Sequence, residues 1–468
     1  MPSLADLTPP IALGALDGRY RKAVAPLVDH LSEPALNRTR LHVEIEWLIH
    51  LTSHGVVPGA GTLSAAEVES LRGLVGEFDQ SAIDELAAIE AETVHDVKAI
   101  EYFLKRRLGD RLEGREDLAE LVHFACTSED INNLSYALMV QGAVRSVWLP
   151  CATELVEQVS GMARELADIP LLAHTHGQPA TPTTMGKELA VLAFRLGRQL
   201  RHIAGAEYLG KLNGATGTFG AHLAAVPGAD WQQISHDFVT GLGLTWNPLT
   251  TQIESHDWQA EVYADIARFN RVLHNLCTDI WSYISMGYFA QVRGQGTVGS
   301  STMPHKVNPI RFENAEANLE VSNALLDVLA STLVTSRLQR DLTDSSMQRN
   351  IGPALGHSLL ALDNVSRGLA GLDAAPAAMA ADLDTNWEVL AEPIQSAMRA
   401  LAAAGHPGMD NPYERLKELT RGRRIGQAEL VEFVRGLGLP ADVEERLAAM
   451  TPTTYVGIAP DLVAHLPN

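Results

Sequence analysis

The run Val262-Tyr263-Ala264-Asp265-Ile266-Ala267-Arg268-Phe269-Asn270-Arg271-Val272-Leu273-His274-Asn275-Leu276-Cys277-Thr278-Asp279-Ile280-Trp281-Ser282-Tyr283-Ile284 decides the fold. Its apolar residues Val262, Ile266, Phe269, Leu273, Leu276, Ile280 and Ile284 recur at spacings of three and four. That period marks one face of an α-helix and persists for about six turns. A helix of ~30 residues is some 45 Å long, more than one small domain covers. It must bury its stripe against other helices, so a bundle is expected.

Working outward, Leu155, Val159, Met162 and Leu166 repeat the pattern, as do Leu189, Leu192, Leu196, Leu200 and Ile203. Alternating strand patterns are scarce. Short β pieces are expected around Lys211–His222, where Gly214, Gly217 and Gly220 stand, and near Phe289–Val298. The fold class is therefore mainly all-α, in three regions. Residues 1–120 form an N-terminal helical domain with a turn-rich stretch near Val56–Thr62. Residues 121–370 form a central long-helix bundle domain. Residues 371–468 form a C-terminal domain of shorter helices, punctuated by Pro393, Pro407 and Pro412. The run Ala374–Ala381 reads equally as a junction or as an Ala-rich helix.

Composition narrows the function. The chain has 468 residues, 46% of them apolar, which suits a soluble globular protein with ample core. No apolar run approaches the ~18–20 residues of a membrane span. Met1-Pro2-Ser3-Leu4-Ala5-Asp6 lacks the basic stretch and apolar core of a signal peptide. Cys126, Cys151 and Cys277 are odd in number and far apart, so a reduced, cytoplasmic setting is expected. The formal charge of −21, from 36 basic and 57 acidic residues, argues against nucleic acid and anionic membranes as partners. An anionic small substrate then requires a local basic pocket.

Four clusters carry chemistry. Gly299-Ser300-Ser301-Thr302-Met303-Pro304-His305-Lys306-Val307-Asn308-Pro309 packs hydroxyls, an ammonium, an imidazole and an amide between a glycine and a proline. It reads as a loop ahead of a helix that takes in Ile310-Arg311-Phe312-Glu313-Asn314, a placement suited to an anionic ligand. Ala173-His174-Thr175-His176-Gly177-Gln178-Pro179 puts two imidazoles and a Gly-Gln-Pro turn before a helix starting near Met185. His-x-His also suits zinc, but no third ligand stands at metal-site spacing, so acid–base use is the better reading. His123–Asn133 contains Thr127, Ser128, Glu129 and Asp130 at a helix start. Ser128 is the expected N-cap, and Asp130 is either functional or only a first-turn charge. Ser336–Asn350 concentrates Arg337, Arg340, Arg349 and serines, of which Arg340, Ser345 and Arg349 suit a phosphate. Arg19-Tyr20 after Gly18, His95-Asp96, and Gln252 with His256 supply further polar groups.

In this order the clusters resemble the fumarase/aspartase superfamily and, within it, the adenylosuccinate lyase branch. The signature loop is Gly299–Pro309, and the resemblance extends through Thr175–Ala180, Thr127–Asn133 and Ser336–Arg349, from about Ile11 to Tyr455. It implies a cytoplasmic carbon–nitrogen lyase of purine biosynthesis that acts in AMP and IMP formation. Such an enzyme eliminates fumarate from adenylosuccinate, leaving AMP, and from the succinylocarboxamide ribotide. It implies Ser300 as general base, His176 as general acid, Glu313 orienting that histidine, and Lys306 stabilising charge. Thr127, Ser128, Lys306 and Asn308 would hold the succinyl carboxylates. Arg19, Tyr20, Arg340, Ser345 and Arg349 would hold the phosphate. His95, Asp96, Gln252 and Ser301 would line the substrate site, with Val94 contributing backbone only. No cofactor and no metal is implied. The family is homotetrameric with sites shared between subunits, and a stripe such as Val262–Ile284 is consistent with burial in an oligomer.

Overall fold

The computed structural model describes residues 14–291, 307–420 and 425–467, the side chains of Glu116 and of residues 418–420 excepted. The expected base Ser300, together with Ser301 and Lys306, lies outside them.

The principal helices are α1 Glu33–Ser53, α2 Ala65–Gly76, α3 Gln80–Thr93, α4 Asp96–Arg111, α5 Ser128–Ala143, α6 Leu149–Glu165, α7 Met185–Ala204 and α8 Asp257–Ser285. They continue as α9 Ile310–Leu333, α10 Thr343–Gln348, α11 Ile351–Leu369, α12 Pro376–Asp384, α13 Ala391–Ala403, α14 Gln427–Arg435 and α15 Ala441–Ala448. The strands make three two-stranded pairs. Pro170–Thr175 (β1) and Gln178–Thr184 (β2) are antiparallel, Leu209–Gly210 (β3) and Thr245–Trp246 (β4) parallel, Phe289–Gln291 (β5) and Leu372–Ala374 (β6) antiparallel. Among the described residues no helix is long and apolar enough to cross a membrane.

Contacts divide the chain into two compact units. One comprises 1–153, 199–271 and 314–363; the other comprises 154–198, 272–313 and 364–468. In the first, Leu41, Ile45, Leu48, Leu71, Phe103 and Leu104 anchor a core among α1 to α4. Caps set the helix starts. Ser32 Oγ accepts from the Ala35 amide at α1, and Ser64 with Glu67 forms a capping box at α2. Val94 ends α3 in a left-handed conformation, φ 51°, and His95 caps α4 through Nδ1. That tight reversal presents Asp96.

A buried polar chain pins the long helices of this unit. Trp148 Nε1 donates to Ser358 Oγ at 2.8 Å, and Ser358 donates to Asn270 Oδ1 at 2.8 Å. Asn270 Nδ2 donates to Ser322 Oγ at 3.1 Å, and Ser322 donates to the Ala354 carbonyl at 2.7 Å. Each buried group has a partner, so the chain fixes helix register without an unpaired-dipole penalty. Trp148 also meets Phe269 edge-on at 5.1 Å, worth about 0.5–1.5 kcal/mol beyond its area.

In the second unit, Gln158 and Ser366 exchange hydrogen bonds of 2.9 and 3.0 Å. The Gly186 position admits no side chain, because a Cβ there would lie 2.3 Å from the Ala163 carbonyl. Trp387, Leu390, Ile394, Met398, Leu430 and Val434 form its C-terminal core.

Four expectations need correction. The stripe on α8 is not left for an oligomer: Val262, Ile266, Phe269, Leu273, Leu276 and Ile280 are each at most 1% exposed within the chain. Exposed apolar residues stand instead at Val191 and Phe194 of α7, Trp281 of α8, and Val321 and Val328 of α9. The β piece near Lys211–His222 shrinks to Leu209–Gly210, since the Asp130 carboxylate gathers the amides of Asn213 and Gly214 into a turn. The segment Ala173–Thr184 is a hairpin, not a turn leading directly into a helix. Thr127, not Ser128, occupies the cap of α5, and its amide donates to Asp130 Oδ2 at 2.8 Å. Ala374 ends β6, and most of the Ala-rich run that follows lies in α12.

Candidate active site

Within the first unit one charged network joins four of the expected residues, Asp96, Gln252, Arg340 and Arg349. Arg40 is 2% exposed and makes three hydrogen bonds from α1. Its Nε donates to Asn132 Oδ1 at 2.9 Å, one Nη to Asn37 Oδ1 at 3.1 Å and the other to Asp96 Oδ2 at 2.8 Å. Asp96 also faces Arg349 at 3.5 Å, and Arg349 pairs with Glu33 at 2.6 Å. Burial pushes the Asp96 carboxyl up, but Arg40, the Val97 amide and Arg349 outweigh it and hold the group below the usual carboxylate range.

Asn132 donates to Glu129 Oε1 at 3.1 Å, and the same oxygen accepts from Arg340 at 2.9 Å. Arg340 also reaches Gln252 Oε1 at 3.5 Å, and Gln252 donates to the Ala215 carbonyl at 3.1 Å. Glu129 is 4% exposed, and burial pushes its carboxyl up against the pull of Arg340. The network thus runs Gln252–Arg340–Glu129–Asn132–Arg40–Asp96–Arg349. It links the first turn of α5, the start of α4, and the segment 336–349. Ser345 follows Asp344 and donates its amide to that carboxylate at 2.6 Å.

Under this network lies Asp130, which is more than a first-turn charge. Its side chain and that of Lys211 are both fully buried, with Lys211 Nζ 2.8 Å from Oδ1. Beside it, His123 and Ala125 hold left-handed backbone, φ 60° and 58°. His123 Nδ1 lies 2.6 Å from Glu44 Oε1. Burial lowers the His123 pKa, but Glu44 outweighs it, so the ring is held more protonated than usual. Non-glycine residues keep such conformations only where their surroundings enforce them. Glu44, Arg40 and Lys211 carry no local motif, and reading the sequence missed them. A buried-charge criterion would have found them, because charged side chains are seldom fully buried without a partner.

Tyr20 sits at the start of the helix Arg21–Val24, accepts from Asn314 at 3.2 Å, and carries Arg19 5.8 Å from its ring centre. Val94 is exposed. His95 Nδ1 is occupied by the Lys98 amide at 3.1 Å.

The second unit places the remaining candidates. His176 and Gly177 are the two turn residues between Thr175 and Gln178, at φ 55° and 70°. Two consecutive left-handed residues are what a type I′ hairpin turn needs. The imidazole therefore projects, exposed, from a hairpin tip. The hairpin flanks a cleft of about 580 Å³ lined by Thr175, Thr181, Glu388, Glu392 and Tyr413. Glu313, in the first turn of α9, accepts from Trp281 Nε1 at 3.2 Å. Among the described residues it makes no hydrogen bond to His176. Asn308 precedes α9 in irregular backbone.

Known proteins align along nearly the whole chain. A family model described as lyase matches residues 18–321, and one described as adenylosuccinate lyase C-terminal matches 336–456. The chain is 47% identical over 455 residues to the adenylosuccinate lyase of Escherichia coli (strain K12), covering 97% of this chain and 98% of that protein. It is 46% identical over 456 residues to that of Vibrio cholerae, with the same coverage. Among solved structures, a fumarate lyase from Mesorhizobium sp. BNC1 superposes with a TM-score of 0.73 at 17% identity, covering 94% of this chain and 97% of that one. The 3-carboxy-cis,cis-muconate lactonizing enzyme from Pseudomonas putida gives 0.72 at 21%, covering 94% and 96%. The mainly helical fold is thus that of the fumarate lyases, and by sequence the chain belongs to the adenylosuccinate lyase family.

Proposed function

We propose that this chain is a lyase that eliminates fumarate from adenylosuccinate to leave AMP, and from the succinylocarboxamide ribotide to leave its carboxamide. The observation that carries the reading is the arginine pair Arg340 and Arg349. In a chain of charge −21, Arg340 meets Glu129 in the first turn of α5 and Arg349 meets Asp96 at the start of α4. A forked, always-charged donor set of this kind suits a phosphate, which lyases of simple dicarboxylates have no need to hold.

In this reading Ser300 removes the carbon-bound proton next to a succinyl carboxylate. The C–N electron pair then leaves with the nitrogen, and His176 supplies that nitrogen with its proton. Lys306, Asn308, Thr127 and Ser128 hold the carboxylates as charge builds on them. Arg19, Tyr20, Arg340, Ser345 and Arg349 grip the phosphate. Val94, His95, Asp96, Gln252 and Ser301 line the rest. Glu313 orients His176 from another copy of the chain, in a cytoplasmic homotetramer whose subunits share each site. The exposed apolar residues Val191, Phe194, Trp281, Val321 and Val328 on three long helices support such association.

The test is an absorbance assay of purified protein with adenylosuccinate, read together with its sedimentation. Stoichiometric AMP and fumarate from a tetramer supports the proposal; no conversion by folded protein overturns it.

A further inference from the structure

Three buried polar atoms converge beside Arg340 with no hydrogen bond among the described residues: Arg340 Nε, Asp344 Oδ2 and His256 Nε2. Asp344 Oδ2 lies 3.7 Å from Arg340 Nε and 3.6 Å from His256 Nε2. Unpaired buried groups are costly, and a contraction of less than about an ångström would bring both approaches to hydrogen-bond length.

The histidine is set from behind. Tyr263 donates to Gln259 Oε1 at 3.1 Å, which leaves the Gln259 amide nitrogen, 3.4 Å from His256 Nδ1, as a donor to the ring. With Nδ1 accepting, the neutral ring carries its proton on Nε2, facing Asp344. The backbone is fixed too. His256 holds φ 61° and donates its amide to Glu254 at 3.0 Å. The other Asp344 oxygen accepts from the Ser345 amide.

We propose that His256 and Asp344 are positioning residues for Arg340. Through Tyr263, Gln259 and His256, the Asp344 carboxylate fixes the Nε edge of the guanidinium, while Glu129 fixes one Nη. The other Nη, which reaches Gln252 only at 3.5 Å, is left to turn to a ligand oxygen. The clamp closes to full hydrogen bonds when a phosphate engages Arg340. The proposal deepens the lyase reading and rests on it.

The experiment uses the full chain and compares the wild type with His256→Asn, His256→Gln and Asp344→Asn. Asparagine places its amide near Nδ1, short of Asp344; glutamine reaches the Nε2 position. Asp344→Asn and His256→Asn are expected to raise the KM for adenylosuccinate and the inhibition constant of AMP roughly tenfold. They should leave kcat within about threefold and the inhibition constant of fumarate unchanged, and His256→Gln should recover most of the loss. The double variant should be no worse than either single one, because both act through the same guanidinium. Unchanged AMP inhibition in Asp344→Asn, or an equal rise for AMP and fumarate, overturns the clamp. Asp344→Asn decides this even if His256→Asn fails to fold. A wild type that does not cleave adenylosuccinate overturns the lyase reading instead; active wild type with unmoved AMP inhibition in the variants overturns only the clamp.

Discussion

Lys211 Nζ lies 2.8 Å from Asp130 Oδ1, and neither side chain is exposed to solvent. The carboxylate also accepts amides from Thr127, Asn213 and Gly214, so it fastens the loop after β3 to the first turn of α5. Lys211→Met leaves that carboxylate buried without its counter-charge. Removing one partner of such a pair costs about 3–5 kcal/mol. Urea unfolding followed by tryptophan fluorescence should show a loss of that size; a loss under about 1 kcal/mol would mean the amides alone suffice.

Glu44 and His123 give the pH dependence a sign. The folded-state pKa of His123 is raised, by Glu44 against burial. Its contribution is therefore fully present below the unfolded value of about 6.5 and is lost as pH rises through the folded value. Glu44→Gln should lower the His123 titration, followed by NMR, because only the weaker pulls of Glu101 and Asp130 then oppose burial. It should also flatten the fall in stability above neutral pH. An unmoved His123 titration would show that another group holds the proton.

Gly217 tests how the Gln252 segment is placed. Its φ is 74°, and a Cβ there would lie 2.3 Å from the Thr250 carbonyl and 2.8 Å from that of Thr251. Gly217→Ala must push this segment away, and with it Gln252. Loss of stability of about 1–3 kcal/mol is expected from strain alone, with a raised KM from the displaced amide. Gly228→Ala, at a site with open space and no positive φ, is the matched control and should be near neutral. Equal melting temperatures for the two variants would contradict the packing argument.

How far the sequence was legible follows from the range of each signal. The long helices were readable because a 3.6-residue period is local: α8 lies where that period puts it, and α9 starts directly after Pro309. The hairpin was not. Pro179 and Pro182 sit in β2 and the register shifts between Leu172 and His174, so no clean alternation survives. Thr127 was recoverable: Asp130 three residues on completes the capping-box spacing for Thr127, not for Ser128. Arg40–Asp96 and Arg340–Glu129 join residues 56 and 211 positions apart, a distance no local pattern encodes. The motifs supplied Arg340, Glu129 and Asp96; only the fold added Arg40 and showed which carboxylate meets which arginine.

His176 at an exposed hairpin tip separates chemistry from folding. His176→Ala should abolish turnover while leaving the sedimentation of the protein unchanged. His176→Asn, which tolerates left-handed backbone better, should be equally inactive and more stable. Turnover within tenfold of wild type in either variant would move the acid role elsewhere, with His95 the next imidazole to examine.

Arg340 decides between a nucleotide lyase and relatives acting on substrates without phosphate. Arg340→Ala is expected to raise the KM for adenylosuccinate at least tenfold with a smaller effect on kcat, since phosphate binding is made in ground and transition states alike. Arg340→Lys keeps the charge but loses the fork, and should recover only part of the affinity. The alanine variant also strips Glu129 of its cation. Because burial already pushes that carboxyl up, losing Arg340 should raise its pKa further and favour its protonated form over an unpaired charge. The stability loss of Arg340→Ala should therefore grow as pH rises, and Glu129→Gln in the same background should remove that slope. Unchanged kinetics in Arg340→Ala would count against the phosphate role, and a stability loss that does not change with pH would count against protonation of Glu129.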